Sequence, residues 1–205
     1  MKSQSNGSTM RMSPIAVWCS QLSDEELKRA VKIDTNHTHH LRIVVDCNIT
    51  FALACKNLLN GGSPDEAYSA AKEFALASLV KEWWEEMEGD QMQAVNRKIG
   101  WVKIAFQRAF YYLNKGTGFE EALKELLTLG GDTDTNAAIV GMLLGARDGL
   151  AALNEESVAK VMKWENSRGG HRRPDFLIPG KVFMQKFDDF FNCIPEKLNI
   201  VFGLE

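Results

Sequence analysis

The residues most able to do chemistry are in one short run, GGDTDTNAA at positions 130–138, followed by IVGMLLGARDG. Asp132 and Asp134 are two apart, with Thr133 and Thr135 interleaved. In an extended or first-turn conformation this spacing brings two carboxylates and a hydroxyl within reach of one hard cation. Oxygen donors of this kind suit Mg²⁺, Mn²⁺ or Ca²⁺ rather than zinc. Gly130 and Gly131 let the backbone approach closely whatever lies in front of the next helix. Behind the run, Ala137, Ala138, Gly141, Gly145 and Ala146 give that helix a small-residue face for close packing under a site. The plainer reading is that Asp132 or Thr133 caps the helix, since acids favour helix N-termini. Two acids, a glycine pair and a small-residue helix together favour the cation site.

The elements that would position this run read as helix after helix. Ser23-Asp24-Glu25-Glu26 is a capping box, opening a helix to about Lys32. Between His40 and Asn60, Ile43, Cys47, Phe51, Cys55 and Leu58 fall on one helical face, and Gly61-Gly62 ends that helix. Ser63-Pro64-Asp65-Glu66 starts another, expected to continue to about Met87. Further helices are expected after Gly100, with Trp101, Ile104, Ala105, Ala109 and Tyr112 on one side, over Phe119–Leu129, and from Gly131 to about Arg147. No segment shows sustained alternation of period two, so the expectation is all-α.

Composition narrows the class. The 205 residues are 45% hydrophobic and 25% charged, and 27 acids against 24 bases leave a net charge of −3. These values fit a single globular domain over 1–205 and argue against disorder. The absence of a basic excess argues against nucleic acid, and no apolar stretch nears the roughly 18 residues needed to cross a bilayer. Cys19, Cys47, Cys55 and Cys193 form no CxxC pair, which reads as reduced thiols, buried as small hydrophobes in an intracellular, cytoplasmic protein. Trp18, Trp83 and Trp84 read as core, and the acids from Glu82 to Glu88 as a solvated helix end. His37, His39 and His40 read as loop hydrogen-bonders rather than metal ligands, Arg172 and Arg173 as surface, and Asp188-Asp189 as a solvated helix face.

Several blocks together resemble the ADP-ribosylglycohydrolases, the group of dinitrogenase-reductase-activating glycohydrolase and the ADP-ribosylarginine hydrolases. Besides GGDTDTNAAIVG, SNGSTMRMSP at 5–14 resembles the family's SNGSxMRxxP block, Thr38-His39 its Thr-His pair, Gly100-Trp101-Val102 a segment before its last metal-binding region, and Arg173-Pro174 a C-terminal element. The best-matched part runs over 5–180. The resemblance implies an orthogonal multi-helix fold that binds ADP-ribose over Mg²⁺ or Mn²⁺, with two ions in the family pattern. It implies that Asp132, Asp134 and Thr135 are metal ligands, with Asp132 and Asp134 catalytic. It places Asn6, Gly7 and Ser8 at the reacting end and diphosphate, the turn's backbone N–H groups receiving diphosphate oxygens. It puts His39 in the same cleft and Gly100 and Trp101 near the adenosine. The implied reaction cleaves the glycosidic bond between ADP-ribose and a modified side chain or small acceptor. One departure stands against this: the family's Thr-Asp-Asp motif lies upstream of SNGSxMR, and here SNGS begins at residue 5. The chain therefore reads as an N-terminally truncated relative, with an inactive ADP-ribose-binding or regulatory relative, or a fragment of a longer enzyme, as the alternatives. In the truncated reading a partner chain covers the surface that the missing segment would have filled.

Overall fold

The computed structural model describes residues 3–163. Arg172, Arg173, Pro174, Asp188, Asp189 and Cys193 lie outside the described residues. Among the described residues, eight α-helices belong to a first unit, Met1–Leu150, and a ninth to a second unit, Ala151–Glu205. They are α1 (Met12–Trp18), α2 (Asp24–Asn36), α3 (Arg42–Leu59), α4 (Pro64–Leu76), α5 (Lys81–Glu88), α6 (Val102–Lys115), α7 (Phe119–Leu129), α8 (Thr133–Asp148) and α9 (Glu155–Met162). Among the described residues there is no strand beyond one isolated bridge, and no helix is long and apolar enough to cross a membrane. The all-α expectation is borne out.

Local sequence explains the starts of α2 and α4. Ser23 and Ser63 each accept from the backbone N–H three residues on, while Glu26 and Glu66 reach back to the cap N–H. Two otherwise orphaned donors are satisfied at each end. Removing one such cap with Ser23→Ala is expected to cost about 1 kcal/mol in a urea denaturation curve. Gly116 ends α6 at φ 65°, a left-handed conformation that glycine adopts without strain.

α3 is the central helix. It packs against α1, α2, α4, α6 and α8, and thirteen of its eighteen residues are buried. Its buried residues therefore run round most of its circumference. Beside it lies an aromatic cluster in which Phe51, Trp84, Phe106 and Phe110 have ring centroids 4.8–6.0 Å apart. Such edge and tilted contacts add to simple area burial. Cys19, Cys47 and Cys55 are buried among these helices as expected; burial pushes Cys19 and Cys55 up to about 12 and Cys47 well above its ordinary value. Trp83 and Trp84 are core, whereas Trp18 is only half-buried.

Three expectations are corrected. The helix from Ser63 does not run to Met87 but breaks at 77–80. There the Leu79 N–H donates to Asp46 Oδ2 at 3.1 Å, and Ser78 Oγ accepts from the Val80 N–H. A buried α3 carboxylate thus receives a donor that a continuous helix would use internally. The helix from Ser23 runs past Lys32 to Asn36, because Thr35 in its last turn is buried against α3 and accepts from Asn48 Nδ2 at 2.9 Å. Finally, the small-residue face of α8 is not its core side. Ile139, Val140, Leu143 and Leu144 are buried, Ala138 is exposed, and Gly141 makes room for the Phe119 ring.

Candidate functional site

α6 and α8 bring the remote motifs together around the N-terminal segment. Residues 4–6 pair with the stretch leading into α6: the Val102 N–H donates to the Gln4 carbonyl at 3.0 Å, and the Asn6 N–H to the Gly100 carbonyl at 2.9 Å. Ser5 and Trp101 form the isolated antiparallel bridge. This pins SNGS in front of α8. Asn6 Nδ2 then donates to Asp132 Oδ2 at 2.7 Å and to Asn136 Oδ1 at 3.4 Å.

Asp132 occupies the N-cap position of α8, yet its side chain makes no capping bond. Its carboxylate is turned instead to Asn6, across 126 residues of sequence. The capping reading therefore fails for this side chain. Asp134, in the first turn, is exposed, and Thr135 is half-buried. A Cβ on Gly100 would lie 3.8 Å from Asp132 Oδ2 and 3.9 Å from Asn6 Oδ1, so glycine there leaves the pair uncovered on that side. Asn136 is fully buried, and its Nδ2 meets no acceptor among the described residues. A buried donor without a partner costs free energy unless a ligand oxygen or water supplies one.

The neighbouring residue Ser5 carries the other half of the site. Its Oγ is 2.8 Å from His39 Nε2, and Thr38 Oγ1 is 2.8 Å from His39 Nδ1. His39 is 8% exposed, and a Cβ on Gly7 would sit 3.4 Å from its Cε1. Burial first, then Arg11 and His40, hold the imidazole below its ordinary value of 6.5. His37 and His40 are exposed, and no group of three His, Cys, Asp or Glu converges as a metal site among the described residues.

An open cleft of about 610 Å³ lies between Gln4, Ser5, Lys98, Ile99, Gly100 and Trp101. Trp101 Nε1 donates to Gln4 Oε1 at 2.8 Å, and the ring meets Trp83 edge-on at 5.9 Å between centroids. Lys98 Nζ is over its ring at 4.8 Å and Lys103 Nζ at 5.1 Å. Lys103 is buried and paired with Glu86 at 2.5 Å, whereas Lys98 is exposed.

The structure thus brings Asn6, Gly100 and Asp132 together, and Gly7 with His39. Two expected contacts are not available in the expected form. The Asn6 N–H is committed to Gly100, so it cannot receive a diphosphate oxygen. Ser8 is fully buried, its Oγ accepting from Asn48 Nδ2 at 3.1 Å, so its hydroxyl serves the interior. Gly131 also differs: the close neighbour it accommodates is the Val95 carbonyl rather than an external group.

Residues 1–178 match the family model of the ADP-ribosylglycohydrolases. The chain belongs to the ADP-ribosylglycohydrolase family. No curated protein matches it. For an ADP-ribosylglycohydrolase, the sequence reading missed Gln4, Ser5, Arg11 and Asn136. Ser5 and Arg11 stand inside the SNGSTMR block, but their partners are 27–34 residues away. Asn136 is one helical turn after Asp132, and that spacing was a readable signal.

Proposed function

We propose that this chain binds the ADP-ribosyl group in the cleft beside Asp132 and hydrolyses its glycosidic bond to a side chain or small acceptor. Family membership supports glycohydrolase chemistry. The observation that carries the assignment to this place is the Asn6–Asp132 bond, which turns a carboxylate away from its own helix and toward the segment lining the cleft. A carboxylate held there favours the positive charge that develops on the sugar during glycosidic cleavage. His39 and Ser5 present hydrogen-bonding groups further along, and Trp101 flanks the region proposed for the base.

Asp132, Asp134 and Thr135 supply two carboxylates and a hydroxyl, a donor set that fits part of the shell of one Mg²⁺ or Mn²⁺. Such an ion, when bound, would supply Lewis-acid polarisation of sugar hydroxyls or water. The family pattern has two ions, and these three residues would hold one of them.

Calorimetric titration of ADP-ribose into the chain, with and without Mg²⁺ or Mn²⁺, tests the reading. The expected result is saturable binding, tightened by the metal and weakened by Asn6→Ala. A folded chain that binds neither metal nor ADP-ribose would sink the proposal.

A further inference from the structure

Four side chains from two segments, residues 5–11 and 38–39, form one line beside the cleft. Arg11 Nη1 donates to Thr38 Oγ1 at 2.8 Å; Thr38 Oγ1 meets His39 Nδ1, and His39 Nε2 meets Ser5 Oγ, each at 2.8 Å. Arg11 is itself anchored, donating to the Asp34 carbonyl at 2.9 Å and pairing with the Asp34 carboxylate at 3.3 Å. A guanidinium can only donate. With Arg11 donating to Thr38 Oγ1, each contact in the line has one donor and one acceptor when the Thr38 hydroxyl donates to Nδ1 and Nε2–H donates to Ser5. A proton on Nδ1 would instead point the imidazole's N–H toward the Arg11 guanidinium, which donates to the same Thr38 oxygen. At the far end, Ser3 Oγ accepts the Ser5 N–H at 3.2 Å and donates to Ser5 Oγ at 3.1 Å. Ser5 Oγ then accepts twice, and its own hydrogen is left for a further acceptor.

We infer that Arg11 and Thr38 are positioning residues that hold His39 as its neutral Nε2–H tautomer, so that the Ser5 hydroxyl donates to an anionic oxygen in the cleft. The donation rests on the proposed ADP-ribosyl ligand; the tautomer does not. The charged and titratable groups around the ring are Arg11, the Asp34 paired with it, and His40, and burial with the Arg11 and His40 charges favours the neutral form. The sign follows. A His39 kept neutral in the fold adds stability above the ordinary value of 6.5, and that stability is lost as pH falls toward the lowered folded value. Protonation leaves the Nε2–H donation to Ser5 in place and reverses only the contact with Thr38.

Long-range ¹H–¹⁵N spectra of the imidazoles, with His39 assigned by His39→Gln, test the first half. Expected are the Nε2–H pattern in the wild-type chain, its loss in Thr38→Val and its retention in Thr38→Ser. Thr38 is exposed, which favours folding of both variants, and circular dichroism checks it. ADP-ribose titration tests the second half: Ser5→Ala and Thr38→Val weaken binding about tenfold, while Thr38→Ser stays near wild type. A wild-type Nδ1–H pattern, or an unchanged pattern in Thr38→Val, overturns the line. Loss of ADP-ribose binding in the wild-type chain itself overturns the Ser5 donation and the proposed function together, with the tautomer spectrum unaffected.

Discussion

Asp132→Asn combined with Asp134→Asn is expected to abolish metal-dependent ADP-ribose binding and lower hydrolysis by at least about 100-fold, the upper range seen for outer-shell partners of a metal. The reasoning is local. Asparagine keeps the shape of each side chain and an acceptor oxygen, so residue 132 can still accept from Asn6 Nδ2, the 2.7 Å contact that ties SNGS to α8. What it removes is charge, and charge is what a hard cation and a developing positive sugar require. The two effects separate cleanly in measurement. Thermal melting stays close to wild type, because Asp134 is exposed and the Asp132 contact is kept in kind. Hydrolysis of ADP-ribosylated substrates and metal titration both collapse. Full activity in the double variant would remove these carboxylates from the chemistry.

Gly131→Ala has the second largest expected effect, and it acts through the backbone. Gly131 has φ +80°, and a Cβ there would lie 2.3 Å from the Val95 carbonyl oxygen and 3.1 Å from its carbon. Neither atom belongs to a flexible side-chain end that could swing away. Left-handed strain and overpacking each cost about 1–3 kcal/mol, so about 3–5 kcal/mol of unfolding free energy is expected to be lost. Gly130→Ala is the control. Gly130 also has positive φ, +81°, but nothing lies within 4 Å of its Cβ position, so only the strain applies. Urea denaturation of the two variants distinguishes them. Equal losses would mean that the Val95 contact contributes nothing. Because Asp132 follows directly, Gly131→Ala is also expected to weaken ADP-ribose binding more than Gly130→Ala does.

Much of this protein was determined by local sequence. The two serine capping boxes, Pro64 and the glycines after α3 and α6 mark helix ends through bonds spanning a few residues, so they are readable without a fold. The family, too, was legible, because GGDTDT and SNGS are contiguous strings. The tertiary structure decided whatever depends on partners far apart in the chain. It split the Ser63 helix, because Asp46 on α3 takes the Leu79 N–H. It turned the wide small-residue face of α8 partly to solvent and set Gly131 against Val95. It committed the Asn6 N–H and the Ser8 hydroxyl to the protein itself, and linked Asp132 to Asn6, and His39 to Ser5. A side chain's type limits which bonds it can make. Which of those bonds forms is settled by the groups that folding brings within 3 Å, and no spacing along the chain encodes that.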